Sequence, residues 1–116
     1  MQHNDFGVSS STISFMMRVL ESRNRFISYE HTDDIVFHVT FDESNADFTF
    51  ILEGGYITSA ARVRELHMAF PDAQYIVLGG TWWSATSEAY TEADDLGIKI
   101  LLFKEFLGAL RKRRMP

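Results

Sequence analysis

The stretch Asp47-Phe48-Thr49-Phe50-Ile51-Leu52-Glu53-Gly54-Gly55 decides the fold of this chain. Aromatic and β-branched residues from Phe48 to Glu53 are typical of a strand, and the paired glycines end it. Two similar runs precede it, at 26–30 and 35–41, and they are separated by turns rich in acidic and small polar residues. The three runs therefore predict an antiparallel meander.

Helices and strands alternate on either side of this meander. A helix is predicted before it, from about Ser11 to Asn24, and helices and buried strands alternate after it. Thr58 or Ser59 and Ser84 or Thr86 are the expected helix caps, and Gly97 is the expected C-cap. The order αβββαβαβα predicts an α/β (α+β) protein: a mixed sheet with an N-terminal antiparallel meander and helices on both faces.

Composition narrows the class of protein. The 116 residues are 46% hydrophobic, which predicts one globular domain over 1–116, with about residues 1–10 frayed. The absence of cysteine excludes disulfides and thiolate zinc sites. The first residues have no basic n-region and no apolar run approaches membrane-spanning length, so we expect a cytoplasmic protein that contacts no membrane.

The formal net charge of −5 disfavours contact with phosphate backbones over most of the surface. The one strongly basic run is Arg111-Lys112-Arg113-Arg114. We interpret it as a cationic last helical turn that is favourable against the helix dipole, with a nucleic-acid contact as the alternative.

The second half of the chain carries a family resemblance. An apolar strand at Ile76-Val77-Leu78 leads to Thr81, then to a helix with spaced alanines and to Leu96-Gly97-Ile98. This succession resembles the Mrr-type domain of the restriction-endonuclease-like, PD-(D/E)xK fold. With the preceding helix and meander, the similarity extends over about Thr12 to Leu110.

The resemblance implies a nuclease chemistry whose motif is incomplete in this chain. Members of that family use an acid near the second strand and an acid-x-Lys motif on the third, where the carboxylates hold Mg²⁺. Asp33 or Asp34 matches the first acid and Glu53 the second, but Gly55 stands where the lysine belongs. No lysine occurs before Lys99. The motif is therefore degenerate.

The pair Trp82-Trp83 is the most conspicuous candidate for binding. It follows Gly79-Gly80 at the end of a predicted buried strand, and the carboxyl ends of parallel strands are where α/β proteins bind ligands. One tryptophan is expected to pack on the core and the other to meet a ligand or partner. The loops of Gly54-Gly55 and Gly79-Gly80 are expected to flank one site, formed by Trp82, Trp83, Tyr56, Thr81 and Glu53.

Two functions follow as hypotheses. The preferred hypothesis is a non-catalytic binding module that recognises an unidentified protein or nucleic acid through the Trp82-Trp83 loop. Such a module needs neither metal nor cofactor, and a second copy of the chain, in a homodimer, is one possible partner. In this hypothesis Glu53 is a solvated side chain at a strand end. The alternative is a divergent Mg²⁺-dependent nuclease with Asp34, Asp47 and Glu53 as catalytic residues, which requires these carboxylates to converge.

Overall fold

A five-stranded mixed sheet with helices on both faces forms the centre of the fold, which a computed structural model describes for residues 6–116. The predicted fold class is confirmed. The elements in chain order are α1 (Ser10–Glu21), β1 (Ile27–Asp33), β2 (Val36–Phe41), β3 (Asp47–Glu53), β4 (Ile57–Thr58), α2 (Ala60–Ala69), β5 (Tyr75–Leu78), β6 (Ser84–Ala85), α3 (Ser87–Leu96), β7 (Lys99–Leu101) and α4 (Phe103–Lys112).

The main sheet has the strand order β1-β2-β3-β5-β7. Its first half is the antiparallel meander, with Val36 opposite Ile51 in the pairing of β2 and β3. Its second half is parallel, with Glu53 opposite Leu78 at the carboxyl ends of β3 and β5. The strand β3 is therefore the junction where the sheet changes from antiparallel to parallel pairing.

The alternation of side chains along β3 separates the two faces of the sheet. On one face Phe50 stacks with Phe37 of β2 and contacts Phe106 of α4, with ring centroids 5.2 and 4.9 Å apart. Ile51 and Glu53 point to the opposite face, where Glu53 meets Arg62 of α2. The helices α1 and α4 thus cover one face, and α2 and α3 pack against each other on the other.

Local capping explains the helix boundaries. Ser59 and Thr86 accept hydrogen bonds from the amides of Arg62 and Ala89, so these two residues cap α2 and α3. Gly97 ends α3 in the left-handed region at φ 75°, where a side chain would be strained. These features agree with the caps expected from the sequence.

The N-terminal segment corrects one expectation. Residues 1–5, expected to be frayed, lie outside the described residues, but 6–10 are ordered against the core. Val8 is fully buried, and the Phe6 ring lies 5.2 Å from that of Phe70. The Val8 side chain fills the space left by the absent side chain of Gly54, because a Cβ there would lie 3.1–3.2 Å from Val8 atoms. Apolar burial therefore orders a segment whose composition alone favours a loop.

Two short strands were missed by the sequence reasoning. β4 and β6 pair in parallel to form a second, two-stranded sheet outside the main one. Each strand has only two residues, too few for any periodic pattern to reveal.

Candidate functional site

The site at the carboxyl ends of β3 and β5 begins with Glu53, which is only 1% exposed. The expectation of a solvated glutamate is therefore wrong. Its Oε1 accepts from the Gly54 amide at 2.8 Å and from Arg62 Nη2 at 3.0 Å. Its Oε2 accepts from Arg62 Nε at 3.0 Å and from the Thr58 hydroxyl at 3.2 Å. Both carboxylate oxygens are thus satisfied by the protein itself, as burial of a charge requires.

Arg62 extends this network beyond Glu53. Its Nη1 donates to Glu65 at 2.8 Å, and its Nη2 also donates to the Phe6 carbonyl. Partial burial by itself lowers the pKa of the Arg62 guanidinium, but the hydrogen bonds to Glu53 and Glu65 outweigh it and raise the pKa above its ordinary value. Arg62 therefore stays charged and fastens the N-terminal segment, the end of β3 and the start of α2 to one another.

The three candidate catalytic carboxylates do not converge on one point. Asp47 opens β3 and Glu53 ends it, so their backbones are six residues, or about 20 Å, apart along the strand. Asp47 instead pairs with His38, whose Nε2 is 3.0 Å from Oδ2, and the His38 Nδ1 is 2.9 Å from the Thr49 hydroxyl. Residues 6–116 contain no group of three or more acidic or histidine side chains placed to hold a metal ion.

Asp34 lies at the same end of the sheet as Glu53. The Leu52 amide donates to the Ile35 carbonyl at 2.7 Å, which continues the β2–β3 register toward that end. Asp34 is nevertheless exposed in the β1–β2 turn, and Asp33 accepts a hydrogen bond from its amide. The structure therefore places one candidate acid near the buried Glu53 network and the other at the far end of β3.

Backbone hydrogen bonds bind the two glycine-containing loops together. The Gly79 amide donates to the Glu53 carbonyl at 3.0 Å, and the Ser84 amide donates to the Tyr56 carbonyl at 2.9 Å. The pairing of β4 with β6 continues this contact to Thr58 and Ala85. The loops after β3 and β5 thus form one unit.

The two tryptophans of this unit have different environments. Trp83 is partly buried against the core and meets Tyr56 edge-on, with centroids 5.7 Å apart and ring planes at 77°. A Cβ at Gly80 would lie 2.5 Å from atoms of the Trp83 ring, so glycine is required for the indole to rest on the backbone. Trp82, in contrast, is 91% exposed, and the neighbouring Thr81 is exposed too.

Three exposed apolar side chains are therefore carried by this one loop unit, and we call them the aromatic patch: Tyr56, Ile57 and Trp82. These side chains are 77%, 69% and 91% exposed. Ile57 was missed from the sequence, since nothing local shows that an isoleucine after a Gly-Gly turn stays on the surface. The Arg62–Glu53–Thr58 network was also missed, because its members come together only through the β3–α2 packing.

None of the helices within residues 6–116 is long and apolar enough to cross a membrane. The chain matches no known protein family, no curated protein and no solved structure.

Proposed function

We propose that this protein is a non-catalytic binding module that recognises a protein partner through the aromatic patch on the Trp82-Trp83 loop. The observation that carries the proposal is the exposure of three large apolar side chains on one hydrogen-bonded loop unit, with Trp82 at 91%. Tryptophan and tyrosine dominate the binding energy of many protein interfaces, because they bury a large area with little loss of side-chain entropy.

The frame beneath the patch supports recognition. Trp83 packs on Tyr56 and on the backbone of Gly80, and the β4–β6 pairing ties the loops together. A surface that is already ordered loses little conformational freedom when a partner binds. The patch is therefore suited to contact with a preformed partner surface.

Charge favours a protein over a nucleic acid at this surface. Arg62 lies at the base of the same loops, but its guanidinium is engaged by Glu53 and Glu65. The C-terminal basic run lies elsewhere, since the Tyr75 hydroxyl, at the opposite end of β5, donates to the Pro116 carbonyl at 2.6 Å. Phosphate contacts supply most of the affinity for nucleic acid, and no member of the aromatic patch provides one.

The scaffold itself remains a proposal. The helix, the antiparallel meander and the following alternation of helices and strands are the order that the restriction-endonuclease-like resemblance implies. A binding role on such a scaffold is supported by the incomplete motif, with Gly55 at the lysine position, and by the engagement of the Glu53 carboxylate.

Affinity capture with matched variants tests the binding role. Trp82→Ala removes the most exposed member of the patch, and Met68→Ala removes an equally exposed apolar side chain, 82% accessible, near the other end of α2. Partners captured from the source cells are identified, and their affinities for the three proteins are then measured. We expect binding at least tenfold weaker for Trp82→Ala and unchanged for Met68→Ala.

Sedimentation of the same proteins tests whether the partner is a second copy. A wild-type homodimer that Trp82→Ala dissociates identifies the patch as its interface. Partners or dimers that respond equally to Trp82→Ala and Met68→Ala contradict recognition through the patch.

The alternative, a divergent Mg²⁺-dependent nuclease, is favoured by one observation: Asp34 lies at the same end of the sheet as Glu53. It predicts cleavage of a phosphodiester substrate that requires Mg²⁺ and is abolished by either Asp34→Asn or Glu53→Gln. Asp47→Asn is the internal control, because Asp47 lies at the other end of β3 and pairs with His38.

A further inference from the structure

A cleft between the segment that follows α1 and one face of α4 is lined by four cationic side chains. Its volume is about 560 Å³, within the range of small-ligand sites. Arg23, Lys104, Arg111 and Arg113 line it, and no acidic residue does. We name these residues and their apolar neighbours the basic cleft. The chain has a net charge of −5, so the positive charge of this cleft is opposite in sign to that of the chain as a whole.

Two of the four cations are unpaired within residues 6–116. The side chains of Lys104 and Arg111 make no hydrogen bond or ion pair with another described residue, and both residues are exposed. They lie seven residues apart on α4, about 10 Å along the helix. Neither charge is neutralised by the described protein, so both are available to an anionic ligand.

The other two arginines are held in place by the protein. Arg23 Nη1 donates to the Val19 carbonyl at 3.1 Å. The Arg113 guanidinium carbon lies 3.7 Å from the centroid of the Phe26 ring, and its Nη1 is 3.2 Å from Glu43. Arg113 also ends α4 at φ 59°, in the left-handed region that residues other than glycine rarely adopt. A strained arginine in place of the usual glycine motivates a role for its side chain.

Apolar side chains complete the cleft. Phe26 is 42% exposed, and Leu107 and Leu110 also line the surface. A cleft with cations around an apolar floor accepts a ligand that is both multiply charged and partly apolar.

We propose that the basic cleft binds a compact polyphosphate, a ligand with two or more phosphate groups. Four cationic side chains line this one cleft, and a chain of phosphates offers them more negative charge and more acceptor oxygens than a single phosphate does. A long nucleic acid fits less well, because the chain as a whole carries a net charge of −5 and disfavours an extended phosphate backbone. The site is independent of the aromatic patch.

Calorimetric titration with tripolyphosphate, ATP and a single-stranded oligonucleotide tests this site at low salt. The variants are Lys104→Gln and Arg111→Gln, which remove unpaired charges, and the control is Lys99→Gln, which removes an exposed charge of β7 outside the cleft. We expect saturable tripolyphosphate binding that weakens about tenfold in each cleft variant and is unchanged by Lys99→Gln.

The ATP titration distinguishes two sources of the same chemistry. Tighter binding of ATP than of tripolyphosphate assigns the apolar floor to a nucleoside, whereas equal binding assigns the cleft to inorganic polyphosphate; both support the proposal. Three results overturn it: no saturable binding of either compound, equal weakening by Lys99→Gln, or binding of the oligonucleotide alone.

Discussion

The loop unit at the carboxyl ends of β3 and β5 and the basic cleft between α1 and α4 hold their charged groups in opposite ways. At the loop unit, Glu53 and Arg62 satisfy each other beneath an apolar surface. In the cleft, Lys104 and Arg111 have no partner among the described residues. A charge paired inside the protein stabilises the frame, whereas a charge left unpaired at the surface is available to a ligand.

The largest expected effect is on the paired side of this comparison. Arg62→Met leaves the Glu53 carboxylate buried without its counter-charge, so we expect the free energy of unfolding to fall by about 3 kcal/mol. Urea denaturation measures it. Arg64→Met is the control, because Arg64 is about half exposed and its partner Glu92 is less buried than Glu53, so its loss should cost less than about 1 kcal/mol. Equal losses in the two variants would show that the buried network is not a structural anchor.

The two tryptophans test the same contrast between frame and surface. Trp83 is packed on Gly80 and Tyr56, so Trp83→Ala should lower the free energy of unfolding by about 2 kcal/mol, less than for a fully buried aromatic. Trp82→Ala should change it by no more than about 0.5 kcal/mol, since the side chain is exposed. Thermal and urea unfolding of both variants measure the difference. The reverse order of the two effects would contradict the assignment of Trp83 to the frame.

The unpaired side of the comparison predicts a small effect on stability. Combined Lys104→Gln and Arg111→Gln substitutions remove two charges that form no described ion pair or side-chain hydrogen bond, so the free energy of unfolding should stay within about 0.5 kcal/mol of wild type. If the free energy of unfolding fell as far as in Arg62→Met, these two cations would be shown to stabilise the fold.

The Tyr29–Glu21 pair, which joins β1 to the end of α1, provides the smallest and most local test. The Tyr29 hydroxyl donates a hydrogen bond to the Glu21 carboxylate at 2.8 Å. Burial, the hydrogen bond and the charge of Glu21 raise the pKa of Tyr29 from 10.0 to about 12. The unfolded chain therefore releases this proton first, and the contribution to stability, complete below pH 10, is lost as the pH rises toward about 12.

Ultraviolet titration of tyrosinate measures this shift. Tyr29→Phe should remove a phenol that titrates near pH 12, and Glu21→Gln should return that phenol toward its ordinary pKa. If the alkaline titration curve is the same in Glu21→Gln as in the wild type, the Glu21 carboxylate does not raise the pKa of Tyr29.

Local signals in the sequence predicted local structure well. Ser59, Thr86 and Gly97 act at the positions where they stand, because capping depends on neighbours within one helical turn. The meander and the alternating elements follow from short periodic patterns in the same way. The sequence identified Trp82-Trp83 as a candidate because the two tryptophans are adjacent. It did not show which indole is packed inside, since Trp83 is placed there by its contacts with Gly80 and Tyr56.

Features that depend on residues far apart in the chain could not be predicted from the sequence. Glu53 is buried because Arg62, nine positions later, turns back onto it through α2. Val8 is ordered because Gly54 leaves room for it. The basic cleft joins Arg23 to residues of α4, and only the packing of the two helices brings them together. Such contacts have no fixed spacing along the chain, so no pattern reveals them.

We propose that the carboxyl end of the sheet is a frame for binding, held by the Glu53–Arg62 pair, and that it takes no metal ion. Calorimetric titration of Mg²⁺ and Mn²⁺ into the wild type and Glu53→Gln, with urea unfolding of the same two proteins, tests it most directly. We expect no saturable metal binding in either protein. We also expect Glu53→Gln to be less stable than the wild type, because its ion pair with Arg62 is broken. Saturable binding in the wild type that disappears in an equally stable Glu53→Gln would contradict it.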